Sequence, residues 1–195
     1  MATRSMIGKD YGGEIKAIYC HWDGYIQGVG QTLKEFYTDE SKIDDLIKLG
    51  SISSLGKNLT LQNGERLNKT LTDAHGFNPT EILYDESENV VKLKNKDNIV
   101  TISMFDVPMI GIDLRHIYGE LTTEMEAYVK EVQNIFHEVT VAYHRDRGEG
   151  LNISIFRDEK EYIGDDNWAE YLYLYKNGEW YVYDTYSNEA KFKKI

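Results

Sequence analysis

The chain is poor in the residues that mark several protein classes. It has a single cysteine, Cys20, in 195 residues. An intramolecular disulfide and any multi-cysteine zinc site are therefore excluded. Only two prolines occur, Pro79 and Pro108, so there is no proline-rich linker. No run approaches the roughly 20 apolar residues of a membrane-spanning helix. The opening Met1-Ala2-Thr3-Arg4-Ser5-Met6 has no apolar stretch of the signal-peptide kind, and the expectation is a cytoplasmic protein without a membrane partner. Cations are also scarce: 22 Lys and Arg stand against 33 Asp and Glu, a net charge of −11 at pH 7. Such a chain is a poor general binder of nucleic-acid backbone, because phosphate contacts need positive charge.

What remains is an ordinary globular balance, 41% apolar and 28% charged, with 15 tyrosines. Tyrosine favours strands and surfaces that must be both apolar and hydrogen-bonding. Residues 5–9 and 14–22 read as a hairpin about Tyr11-Gly12-Gly13. Val29, Leu33, Phe36 and Tyr37 share one helical face. A second short helix carries Ile43, Leu46 and Ile47, with Ser41 as the expected N-cap and Gly50 as its stop. Residues 51–80 read as a long polar loop, and segments 81–84, 90–93 and 99–102 as a meander of three strands.

The strongest helical pattern spans 122–137, opened by a capping-box pair, Thr123 and Glu126. Residues 139–143 and 151–156 read as strands on either side of Gly148-Glu149-Gly150. The last hairpin is the clearest local signal: Tyr171–Tyr175, the turn Asn177-Gly178, then Trp180–Tyr183. That turn sets Tyr175 opposite Trp180 and Tyr173 opposite Val182, with Leu174 opposite Tyr181 and Leu172 opposite Tyr183 on the other face. Both faces are apolar or aromatic, so the hairpin belongs in the middle of a sheet, covered by helix or partner, and a homodimer is open to it. The expected fold is α+β: a single domain over 1–195, an antiparallel sheet with the tyrosine-rich hairpin, packed by one long and two short helices.

Two polar blocks carry the candidate chemistry. The first is Tyr19-Cys20-His21-Trp22-Asp23-Gly24-Tyr25, the second Tyr143-His144-Arg145-Asp146-Arg147-Gly148-Glu149. Both are expected at strand ends beside loops, where sites are commonly built. If those ends adjoin, His21, Asp23, His144 and Asp146 bring imidazoles and carboxylates together for acid–base or metal chemistry on a phosphodiester. Arg147 suits a two-pronged grip on phosphate. The same residues read equally as an internal polar network, with Asp23 in a turn and Asp146 paired to Arg145 or Arg147. No complete catalytic set is present, which argues against an enzyme, and neither a metal nor another cofactor is implied. Cys20 and His21 are strand neighbours on opposite faces, so they do not form a nucleophile–base pair.

Three further features bear on partners. Residues 112–138 hold six acids against two bases, and residues 157–170 the same. Carboxylates spread in this way can imitate phosphates in a cationic channel. Tyr11, Tyr19, Trp22, Tyr25 and the hairpin tyrosines offer stacking surfaces for a nucleobase, with Arg4, Arg145 and Arg147 as cations.

Taken together, Ala2-Thr3-Arg4-Ser5, the block at 19–25, Gly50 with Ser53-Ser54-Leu55, Arg145-Asp146-Arg147-Gly148-Glu149, and the hairpin with Gly178-x-Trp180-x-Val182 resemble a family of small accessory proteins carried by bacteriophages, prophages and plasmids. The resemblance covers roughly 2–56 and 139–184. Residues 57–120 depart from it and are expected to form a family-specific insertion or lobe. Members often carry Gly at the position of His144, which argues against a catalytic role for that residue. The resemblance implies a mobile-element origin and a role in evading host defence, of the anti-CRISPR or anti-restriction kind. The expected partner is then a host defence protein or a protein–nucleic-acid complex, bound through an acidic, aromatic surface. The alternative is a nucleotide sponge or a phosphodiesterase built on His21, Asp23, Asp146 and Arg147. For either function the partner- or ligand-binding residues are expected to be His21, Trp22, Asp23, Tyr25, Tyr143, Asp146, Arg147 and Glu149.

Overall fold

The computed structural model describes residues 2–60, 81–85, 90–95, 98–103, 138–165, 168–187 and 191–195, together with the single positions 115, 120, 123, 126 and 130. The chain divides into two compact units. One is Met1–Leu59 with Thr140–Ile195, and the other is Thr60–Val139.

The first unit is built on an eight-stranded sheet. Its strands are β1 (Ser5–Asp10), β2 (Ile15–Cys20), β3 (Ile52–Ser54), β7 (Val141–Ala142), β8 (Ser154–Phe156), β9 (Tyr171–Lys176), β10 (Glu179–Asp184) and β11 (Lys193–Lys194). The order is β11-β10-β9-β1-β2-β3-β7, and β8 also pairs with β2. The first half of β2 (Ile15 to Ala17) pairs with β8, and its last residue, Cys20, pairs with Ile52 of β3.

The fold is α+β, as the pattern of runs implied, but the sheet is mixed. β1 runs parallel to β9, and β2 parallel to β3. Periodicity along a segment carries no information about chain direction, so an antiparallel sheet was the wrong inference for these two pairs. The parallel step from β2 to β3 needs a crossover, and the helices supply it. A wide turn over Ile26–Gly30 runs into α1 (Gln31–Phe36), and α2 (Glu40–Lys48) follows. Asp39, not Ser41, caps α2: its carboxylate accepts from the Ser41 and Lys42 amides. An anionic acceptor two residues earlier satisfies two exposed donors at once, where Ser41 offers a single hydroxyl.

The C-terminal hairpin has the register read from its turn: Tyr175 faces Trp180, Val182 faces Tyr173, Tyr181 faces Leu174 and Tyr183 faces Leu172. Asn177 and Gly178 both have positive φ, 52° and 79°, as a type I′ turn requires. Each face of the hairpin is covered from within the chain. On one side Tyr173, Tyr175, Trp180 and Val182 join Leu33, Tyr37, Ile43 and Leu46. On the other, Leu172 and Leu174 pack with Met6, Ile15, Phe156, Tyr162 and Phe192. Burying a single such side chain contributes about 2 kcal/mol, so these two clusters dominate the stability.

Three of the buried tyrosines keep their hydroxyls bonded. Tyr37 donates to the Gly56 carbonyl at 2.8 Å, Tyr162 to that of Tyr173 at 3.0 Å, and Tyr173 to that of Gly24 at 2.8 Å. The Trp180 indole N–H reaches the Tyr37 carbonyl at 2.7 Å.

Two local expectations change. Residues 139–143 give only the two-residue β7, and Tyr143–Arg147 is a helix, α3, closed by Gly148 at φ 66°. The Asp146 carboxylate reaches back to the Ala142 amide at 2.8 Å, closing the first turn of α3. The polar stretch after Gly50 contains β3, and its residues 61–80 lie outside the described part. α4 (Glu159–Gly164) packs Tyr162 into the second cluster.

In the second unit, β4 (Glu81–Asp85), β5 (Val90–Asn95) and β6 (Asn98–Ser103) form an antiparallel meander. Thr123, Glu126 and Lys130 are helical, and the rest of the helix expected at 122–137 lies outside the described residues. Among the described residues no helix is long and apolar enough to cross a membrane.

Candidate functional site

The two polar blocks are brought together by β3. On one side of it the His21 amide donates to the Ile52 carbonyl (3.2 Å) and the Trp22 amide to that of Ser53 (3.0 Å). On the other, the Tyr143 amide donates to the Ser51 carbonyl at 3.1 Å. Two segments more than a hundred residues apart are thus held one strand apart.

Within the first block, the Tyr19 hydroxyl and His21 Nδ1 are 2.9 Å apart. The His21 ring meets Trp22 edge-on, with centroids at 4.7 Å. Burial raises the Tyr19 hydroxyl above its ordinary pKa, while the charge of Arg4 opposes that shift. Trp22 stays 47% exposed and Tyr25 39% exposed. Asp23 takes positive φ, 56°, and its carbonyl accepts from the Val29 amide, so it shapes the turn into α1. Gly24 follows because the chain passes close to the strand start. A Cβ there would lie 2.7 Å from the Arg4 carbonyl carbon.

The second block separates into two parts. The Asp146 side chain is fully buried and accepts from Arg145 Nε at 2.7 Å and Nη2 at 2.9 Å. Arg145 continues to the carbonyls of Leu59 (2.8 Å) and Thr140 (2.6 Å). This pair is internal structure, so Asp146 does not stand with His21 and Asp23 in an open site. The remaining residues face outward. The Arg147 guanidinium lies 5.4 Å from the centre of the Tyr143 ring, a cation–π distance, and its Nε is 3.1 Å from Glu149. Burial raises the Tyr143 hydroxyl, opposed by a hydrogen bond with Ser53 and by the Arg147 charge. His144 is exposed, and its Nδ1 is 2.7 Å from the Glu149 carbonyl. A carbonyl only accepts, so that nitrogen carries the proton.

Trp22 and Tyr25 offer exposed aromatic surface, and Arg147 over the Tyr143 ring offers a cation beside an aromatic face. Among the described residues no group of three or more His, Cys, Asp or Glu is placed to hold a metal ion. Cys20 is fully buried, and burial pushes its thiol up to about 12, far from a nucleophilic thiolate. The expected stacking platform shrinks as well. The hairpin tyrosines Tyr173 and Tyr175 are core, and the Tyr11 hydroxyl is bonded to Asp44 at 2.8 Å.

The acidic stretches are also partly spent on local bonds. Asp158 caps α4, Glu161 pairs with Arg157, and Glu159 pairs with Lys176. Most of 112–138 lies outside the described residues.

Sequence reading missed two aromatic residues, Trp168 and Tyr186, which are 77% and 80% exposed. Topology assigns them a place. Ser5, the first residue of β1, pairs with Cys20, the last of β2, and with Tyr171, the first of β9. Tyr171 in turn pairs with Asp184, the last of β10. The segments flanking these ends carry Trp22, Tyr25, Trp168 and Tyr186, so four exposed aromatics rim one end of the sheet. Arg4 is there too: its carbonyl accepts from the Glu170 amide at 2.9 Å, and its own amide donates to the Glu170 carboxylate at 3.3 Å. No local pattern could have grouped these residues, because only the parallel pairing of β1 with β9 aligns their strand ends. The chain matches no protein-family model, no curated protein and no solved structure.

Proposed function

We propose that this chain is a non-enzymatic accessory protein of bacteriophage type that binds and inhibits a host defence or nucleic-acid-handling protein in the host cytoplasm. The observation that carries the reading is the rim of Trp22, Tyr25, Trp168 and Tyr186 at one end of the sheet. Large exposed aromatics are the residues that dominate protein interfaces, whereas Tyr37, Tyr162, Tyr173, Tyr175 and Trp180 are buried in the core. Acidic neighbours at the same end, Asp23, Glu170 and Asp184, give the rim a negative border that suits a cationic partner. The family resemblance of the 19–25 and 145–149 blocks supports a mobile-element origin.

The test is gentle purification of the tagged protein from a bacterial host, followed by native mass spectrometry. The expected result is an added mass of tens of kilodaltons, lost in a Trp22→Ala/Trp168→Ala variant and weakened steeply by salt. An added mass of only a few hundred daltons would overturn protein capture and favour a second reading.

That second reading is nucleotide binding. It is favoured by Arg147 over the Tyr143 ring, one strand from Tyr19 and His21. A base stacked there would place its phosphates near guanidinium groups. Replacing His21 and Arg147 by alanine should then abolish nucleotide binding with little change in melting temperature.

A further inference from the structure

Apart from the aromatic rim, the first unit has an apolar groove between α1 and the β10–β11 edge. It encloses about 580 Å³, within the range of small-molecule sites. Ile26, Val182 and Ile195 line it, and the ammonium-bearing side chains of Lys34, Lys193 and Lys194 border it. Ile26 is 39% exposed although it is a large aliphatic side chain. A smaller cavity of about 150 Å³ adjoins, and Lys34, Lys194 and Ile195 line both. The two cavities therefore meet at a pair of lysines.

Lys34, Lys193 and Lys194 outnumber the two acidic side chains, Glu35 and Glu179, that line the two cavities, in a chain of net −11. The carboxylate that also lines the groove, Glu35, accepts from Gln31 Nε2 at 2.8 Å. Lys194 is paired with Glu179, while Lys34 makes no ion pair among the described residues. An apolar trough ending at cationic groups complements a ligand with an aliphatic body and one anionic head.

We propose that this groove binds a single-chain amphiphilic carboxylate of medium length, whose aliphatic body lies along the apolar lining. The carboxylate sits between Lys34 and Lys194, where the two cavities meet. The chain runs over Val182 and Ile195 towards Ile26. The assignment is independent of the aromatic rim, since the two share no residue.

The experiment titrates the intact protein with decanoate and follows its methyl groups by NMR, with decanol as the uncharged control. The expected result is saturable movement of the Ile26, Val182 and Ile195 methyls by decanoate, and binding at least about fivefold weaker for decanol, the size of one exposed ion pair. Lys34→Glu should weaken decanoate about tenfold or more. Because Lys34 is exposed on α1, the variant should keep the wild-type methyl spectrum away from the groove. Unmoved groove methyls, equal affinity for decanol, or undiminished binding by Lys34→Glu would each overturn the proposal. So would a response of the same methyls to an acidic peptide but not to decanoate, which would make the groove a peptide site.

Discussion

Arg145 and Asp146 are neighbours in the chain, and their side chains turn onto each other in a buried ion pair with Nε to Oδ1 at 2.7 Å. The pair also ties together backbone that sequence keeps apart. Asp146 holds the Ala142 amide, and Arg145 holds the carbonyls of Leu59 and Thr140. It thus anchors both points where the chain leaves and re-enters the first unit.

Asp146→Asn keeps the shape of the side chain but removes its charge. The Arg145 guanidinium, mostly buried, then lacks a counter-ion. The expected cost is about 3 kcal/mol, the usual penalty for breaking a buried pair from one side. Urea unfolding should show a lower midpoint with an unchanged slope. A change under about 0.5 kcal/mol, the scale of a surface substitution, would mean that the pair is not structural.

A second ion pair makes stability depend on pH. Lys9 is buried on β1, and its ammonium is 2.7 Å from Asp44 and 3.4 Å from Glu40 on α2. The hydrogen bond from Lys9 holds the Asp44 carboxyl below its ordinary value of 3.8. Burial alone would lower the Lys9 pKa, but Asp44 and Glu40 outweigh it and hold it above 10.5. A depressed carboxyl pKa means stability that is full above its unfolded value and lost as pH falls through the folded one. A raised lysine pKa means stability that is full below 10.5 and lost as pH rises through the folded value. Chemical denaturation at a series of pH values should therefore show loss at both extremes, and Lys9→Met should flatten the acid limb. An acid limb of unchanged steepness in that variant would place its origin elsewhere.

The hairpin turn offers a backbone test. Gly178 sits at φ 79° with open space around the position of a Cβ. Gly178→Ala therefore meets no clash and reports the left-handed conformation alone, at a cost of about 1 kcal/mol. The same substitution at Gly150, which has negative φ and equally open space, should be neutral or slightly stabilising. Thermal unfolding of the two variants side by side separates conformational from steric effects. Equal melting temperatures would contradict a type I′ turn at 177–178.

How much of this was legible beforehand follows from the range of each signal. The β9–β10 hairpin was readable down to its register, because a two-residue turn and alternating side chains are both local. The helical face of Val29, Leu33, Phe36 and Tyr37 was readable for the same reason in part: Val29, Leu33 and Tyr37 are buried, but Phe36 is 37% exposed. The break at Tyr143, where a strand becomes a helix, was not. It depends on Asp146 reaching back to Ala142, a contact between side chain and backbone that apolar periodicity does not register. Of the candidate site, His21, Trp22 and Tyr25 could be singled out as a block, and so could Tyr143, Arg147 and Glu149. That Asp146 leaves that group for the interior could not be read from its spacing, since Arg145 and Arg147 flank it symmetrically.

By itself, the sequence determined what is set by neighbours along the chain: turns, capping signals, the apolar stripe of each element, an α+β composition and an acidic charge. Tertiary structure alone decided which strand ends lie together. The parallel pairing of β1 with β9 brings Trp168 and Tyr186 to the end of the sheet that holds Trp22 and Tyr25, and β3 brings His21 beside Tyr143. Strand direction costs nothing locally, because a segment makes the same alternating faces whichever way its partner runs. The choice is made by which crossovers the helices can span and which faces they can bury, and those are properties of the whole chain.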